Sequence, residues 1–274
     1  MSWLAEFGQV VFEASRIDSA SGWVGAARDS VLTGDPARLL EAYPGGVTID
    51  DPLAGRVEGR AALEAYSESS AAWLHDRNSA TRPVATTIGA ARAIGEFDLE
   101  LTQAGHTFVL PVAVVIEPDP AVAAVRIRVY HSQWPLLGHH VIRPPLLHRD
   151  PSVRESDVVG AYQAALAAGD AAAIVATFEP DGCFREPSGP QFRVCGTPVL
   201  TEFFARFFSA GGGIVLEHCT VTEDGVRTAL EFNAVKWGGV DLPPQAGVAI
   251  YERGPSGRIR EARIYDDVEG PVEE

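Results

Sequence analysis

The chain has 274 residues, room for two domains of the common size of about 100–150 residues. Its 46% hydrophobic and 22% charged residues are ordinary for a soluble globular protein. A formal charge of −15 argues against nucleic acid or an anionic membrane surface as partner, since phosphate binding needs clustered cations.

Residues 1–18 read as a helix: they lack a basic n-region and carry acids in their apolar run, unlike a secretory leader. Helices are predicted over Trp23 to Leu32, Ala37 to Tyr43 and Arg60 to Leu74, with a strand at Val47 to Asp51. Four strands follow, near Val84 to Ile88, Arg92 to Thr102, Thr107 to Glu117 and Val122 to His131. The apolar segment Gln133 to Pro151 is interrupted by prolines and reads as a connector. Its Trp134, Leu136, Leu137, Leu146 and Leu147 are expected to pack on a domain.

A helix then starts after Ser156-Asp157 and is closed by Gly169, and Asp170 caps a second helix that runs toward Pro180. A short strand around Cys183 to Glu186 is stopped by Pro187. Thr197 to Phe208 is an amphipathic helix with Pro198 in its first turn. After Gly211 to Gly213 the period turns from helical to alternating, giving strands over Ile214 to Val221, Arg227 to Trp237, Ala246 to Arg253 and Arg258 to Asp266. Turns are expected at Gly239-Val240 with Pro243-Pro244 and at Gly254 to Gly257.

The two halves repeat each other at an offset of 135 positions. Val24 to Pro52 recurs as Val159 to Pro187, so that Gly34-Asp35 falls on Gly169-Asp170 and Asp51-Pro52 on Glu186-Pro187. Arg128-Val129-Tyr130-His131 likewise falls on Arg263-Ile264-Tyr265-Asp266. A unit this long is a domain, not a solenoid repeat of 20 to 50 residues. The layout is α+β: a first domain over 1–135, a connector over 136–153 and a second domain over 154–274.

Cysteines occur only at Cys183, Cys195 and Cys219, without CxxC spacing, which suggests free thiols in a reducing cytoplasm. Lys236 is the one lysine among many arginines, a composition typical of a GC-rich bacterial coding sequence. His131, His139, His140 and His148 lack the tight spacing of a metal site and read as surface or packing histidines. Neither a metal nor an organic cofactor is expected.

The pattern VVxxYxxALxxGDxxAIVxxF, followed by an acid before proline and by helices then a sheet, resembles the NTF2-like superfamily. Within it, the SnoaL-like and ketosteroid-isomerase-like branches are nearest. The resemblance covers about Val158 to Asp267 and Trp23 to His131. It implies two tandem cone-shaped half-barrels, each of about three helices on a curved, mainly antiparallel sheet that encloses an apolar pocket. In ketosteroid isomerases an Asp base works with a Tyr and a protonated Asp. Carried over, the base falls on Glu186 and Asp51, the Tyr on Tyr162 and Ala27, and the second acid on Ala249 and Val114. Neither half keeps the full set, so a faithful steroid isomerase is not expected.

Alternation along the last strand sends Asp266 to the pocket side with Ile264, and His131 is its counterpart in the first half. The candidate catalytic residues are therefore Tyr162, Glu186 and Asp266 in the second pocket and Asp51 and His131 in the first. The resemblance implies a small apolar ligand, steroid- or polyketide-like, handled by a cofactor-independent isomerase, cyclase or dehydratase. The alternatives are a non-catalytic ligand-binding protein or an architectural one, in which the domains form an intrachain pseudo-dimer or the chain a homodimer. Epoxide hydrolysis ranks below these.

Overall fold

The structure is a computed structural model that describes residues 36–119, 121–155 and 157–270. The helices expected at 1–18 and 23–32, and with them Ala27, lie outside the described residues. The chain divides into two compact units, Met1–His131 and Ser132–Glu274.

The first unit has helix α1 (Pro36–Ala42), strands β1 (Gly46–Asp51) and β2 (Gly55–Glu58), helix α2 (Arg60–Asp76), and strands β3 (Ala80–Ile88), β4 (Ala93–Gln103), β5 (His106–Asp119) and β6 (Ala124–Tyr130). They form one six-stranded sheet in the order β2-β1-β6-β5-β4-β3, antiparallel except for β1 beside β6. Helix α2 buries Leu63, Tyr66, Ser67 and Leu74, roughly one helical stripe.

The second unit has a one-turn helix α3 (Trp134–Leu137), then α4 (Asp157–Ala168), α5 (Ala171–Ala176), β7 (Phe178–Arg185), β8 (Arg193–Cys195), α6 (Thr197–Phe207), β9 (Ile214–Glu223), β10 (Arg227–Trp237), β11 (Val240–Arg253) and β12 (Ile259–Asp266). Its sheet, β8-β7-β12-β11-β10-β9, repeats the first in order and direction, with β7 and β12 as the parallel pair. These are two tandem α+β half-barrels.

The repeat extends to individual contacts. Arg128 Nη1 lies 2.7 Å from Glu117 Oε2, and Arg263 Nη1 lies 3.4 Å from Glu252 Oε2, the same diagonal pair moved by 135 positions. Both guanidiniums are buried, so each needs a carboxylate to offset its lost hydration.

Local signals explain the second unit's helices. Gly169 ends α4 at φ 67°, and a Cβ there would lie 2.3 Å from the carbonyl oxygen of Gly212, so this turn excludes any side chain. Asp170 caps α5 by accepting from Ala173 N at 2.9 Å. Helix α6 carries Pro198 in its first turn and buries Leu200 and Phe204 against the sheet, each contributing about 1.5–3 kcal/mol.

Several expectations are corrected. Helix α5 stops at Ala176, and β7 runs from Phe178 through Pro180. Pro243-Pro244 lies within β11 rather than in a turn; the reversal is made by Gly238-Gly239. Strands β2 and β8 were not predicted. Cys183 and Cys195, opposite each other on β7 and β8, form a disulfide, so only Cys219 is a free thiol. The cysteine argument for a reducing compartment therefore fails. In the connecting segment Trp134 and Leu137 are 41% and 50% exposed and so do not pack as expected. The segment is nonetheless tied to the second unit: Arg143 O accepts from Ala246 N, and Leu147 O from Asn233 Nδ2. No described helix is long and apolar enough to cross a membrane.

Candidate functional site

The second unit encloses a cavity of about 150 Å³ between its helices and the concave face of the sheet. Phe204, Phe207, Phe232 and Trp237 supply much of its apolar wall. Tyr162 enters from α4, Glu186 from the loop after β7, and Asp266 from the end of β12. Because β7 and β12 run parallel, with Arg185 beside Arg263, their C-terminal ends deliver Glu186 and Asp266 to the same side. Ile264 and Asp266 both face the cavity, as alternation requires.

Tyr162 is 1% exposed, and its ring centroid lies 5.2 Å from that of Tyr251. Its hydroxyl makes no hydrogen bond among the described residues, whereas Tyr251 accepts one from Gln163 Nε2 at 2.7 Å. Burial pushes the Tyr162 phenol well above its ordinary pKa, so it stays a neutral donor. The Glu186 carboxyl also lacks a side-chain hydrogen bond among the described residues. Burial raises its pKa, opposed by the positive charges of Arg206 and His140. Asp266 is pushed up to about 7, first by burial. Val268 N, donating at 3.4 Å, works against that rise; the Asp267 charge adds to it, His140 opposes it, and Glu186 adds to it.

His140 also reaches this cavity, which sequence reasoning missed by treating it as a surface or packing histidine. Its Nδ1 lies 2.7 Å from Asp267 Oδ1; the same carboxylate accepts from Ser132 Oγ and Val141 N, each at 2.7 Å. No local pattern reveals a contact between residues 127 positions apart.

The first unit has its own cavity, of about 220 Å³, lined by both Asp51 and His131 together with Trp73 and Leu110. Asp51 is already occupied there. Its Oδ1 accepts from Leu53 N and Ala54 N, and its Oδ2 accepts from the Tyr66 hydroxyl, all at 2.8 Å. Tyr66 lies on α2, not on the helix from which the resemblance draws its tyrosine, and was missed for that reason. His131 is 5% exposed. At the positions of the second acid, Ala249 lines the second cavity and Val114 is fully buried; neither carries a proton. Among the described residues no group of three or more His, Cys, Asp or Glu is arranged to hold a metal ion.

A cavity between helices and a curved sheet, with a few polar groups in an apolar wall, is the architecture of this α+β domain. Residues 159–262 match the family model of the SnoaL-like domain. The SnoaL-like match thus lies within the second unit, and the first unit repeats its sheet order and direction, as tandem domains do. Among solved structures, the epoxide hydrolase/cyclase-like enzyme SalBIII, associated with pyran ring formation in the polyether salinomycin, is 22% identical. That match covers 40% of this chain and 87% of SalBIII, with a TM-score of 0.34. An NTF2-like protein of unknown function from Burkholderia xenovorans LB400 is 23% identical over 42% of this chain and 84% of its own, with a TM-score of 0.33. No curated protein matches the sequence.

Proposed function

We propose that the second unit binds a small, mostly apolar carbonyl compound and moves a proton beside its carbonyl, as an isomerase, cyclase or dehydratase. The observation that carries this reading is a half-buried carboxyl, Glu186, and a buried phenol, Tyr162, facing one cavity with neither hydrogen-bonded through its side chain among the described residues. A carboxylate in poor solvent is a stronger base, and its raised pKa brings it toward the range useful near neutral pH. Glu186 takes the proton from carbon, and the electron pair moves onto the carbonyl oxygen. Tyr162 donates a hydrogen bond to that oxygen, and Asp266, protonated over part of the neutral range, supports it. Returning the proton at another carbon is isomerisation; expelling a neighbouring hydroxyl is dehydration; attack by the carbanion on a second carbonyl is cyclisation.

A second reading is stoichiometric binding without chemistry. It is favoured by Ala249, which supplies no donor on β11, and by Asp51, whose three hydrogen bonds leave the first unit in a supporting role.

The test uses 2-indanone in D2O, with loss of its α-proton signals followed by NMR. A cavity of this size takes one benzene ring in an apolar protein interior, which sets the scale of the probe. Wild-type protein should speed the exchange over buffer, and Glu186→Gln should remove the acceleration while leaving the fold intact. Binding of 2-indanone with no acceleration selects the second reading.

A further inference from the structure

The segment between the two sheets contributes a side chain to the second cavity, and its geometry is that of a built site. Asp267 is 4% exposed and accepts three hydrogen bonds, from Ser132 Oγ, Val141 N and His140 Nδ1. A carboxylate only accepts, so the His140 hydrogen toward Asp267 sits on Nδ1, and Nε2 is left for something else. The Trp134 ring lies 5.1 Å from the imidazole, tilted by 40°, and limits its rotation from another side. Nε2 makes no hydrogen bond among the described residues, while the ring lines the cavity together with Glu186, Ser188 and Asp266.

We propose that His140, oriented by Asp267, is an oxygen-binding residue of the second cavity: its Nε2 hydrogen-bonds an oxygen of the bound molecule at the polar end. This deepens the reading above and rests on it. It narrows the ligand class to molecules with an apolar body and an oxygen at the end nearest the connecting segment. The groups that face the imidazole agree with a donor role. The Asp267 hydrogen bond, together with the charges of Asp267, Asp266 and Glu269, holds the imidazolium above its ordinary range against the opposing effect of burial. Glu186 shares the cavity and feels the imidazolium charge. In its charged form the ring carries a hydrogen on Nε2 as well as on Nδ1.

The test compares 2-indanone with indane, the same skeleton without oxygen, at pH 6, with binding read by saturation-transfer NMR and calorimetry. Wild-type protein should prefer the ketone, and His140→Phe should narrow that preference by about tenfold while indane binds as before. An unchanged preference overturns the proposal for His140. Absence of binding by either compound to wild-type protein overturns the cavity reading as well, so the two failures are distinguishable.

A second measurement needs no variant. Diethyl pyrocarbonate should modify His140 in wild-type protein, and saturating 2-indanone should protect it, as mapped by peptide mass spectrometry. Unchanged modification of His140 while NMR shows 2-indanone bound overturns the proposal whatever the variant does.

Discussion

Gly247 on β11 stands directly opposite Asp266 on β12, and a Cβ at Gly247 would lie 2.7 Å from the Cβ of Asp266 and 2.6 Å from the ring of Phe232. The acid reaches the cavity because its neighbour has no side chain. Gly247→Ala should therefore destabilise the second unit by about 1–3 kcal/mol, the cost of overpacking a core. Urea unfolding measures this, and equal midpoints for the two proteins would show that the strands shift freely to admit a methyl.

Asp266 makes stability depend on pH. Its folded pKa, about 7, lies above the ordinary value of 3.8. Between the two, the folded state holds a proton that the unfolded chain has released, so stability falls as pH rises through that window. Asp266→Asn removes the dependence. The variant should be more stable than wild type at pH 8, by on the order of 2–4 kcal/mol, and nearly equal to it at pH 4. A difference constant across this range would mean that Asp266 is well solvated.

The Arg128–Glu117 pair predicts the opposite slope. Burial alone would raise the Glu117 pKa, but Arg128 and Arg92 hold it below its usual value. Its contribution is present above the ordinary glutamate range and is lost as pH falls through the lowered folded value. Glu117→Ala should cost roughly 3 kcal/mol at pH 7, because Arg128 is fully buried and loses this carboxylate. The loss should shrink in acid, as thermal unfolding at pH 7 and pH 3 will show.

The Cys183–Cys195 disulfide ties together the two short strands that flank the Glu186 loop. Reduction frees a segment of 12 positions and should lower stability by about 2–3 kcal/mol. Unfolding with and without a phosphine reductant measures it, and Cys183→Ser should match the reduced wild type.

The duplication was legible because an undisturbed offset carries Gly169, Asp170 and Glu186 onto Gly34, Asp35 and Asp51. Both sheets then follow from alternating patterns in long strands. Strands β2 and β8, at four and three residues, are too short to show a period. Pro243 and Pro244 read as a turn because proline usually ends a strand, yet β11 continues through them.

That Tyr162, Glu186 and Asp266 face one cavity was legible through the resemblance and through strand alternation. Tyr66 and His140 were not. Each has a partner set by tertiary packing, Asp51 for one and Asp267 for the other. His140 lies in a stretch whose prolines suggested a passive link, and the exposed Trp134 and Leu137 confirm that hydropathy alone misjudged that stretch.

The hydrogen bonds from Ser132, His140 and Val141 to Asp267 decide where the chain can be divided. Cleaving it within residues 144–153 would strand a shielded carboxylate without any of its three donors and leave β11 lacking the bond to Arg143. A protein chemist isolating the later half would have to cut ahead of Ser132 to keep all three donors, and a fragment beginning after His140 would carry the pocket but not its imidazole.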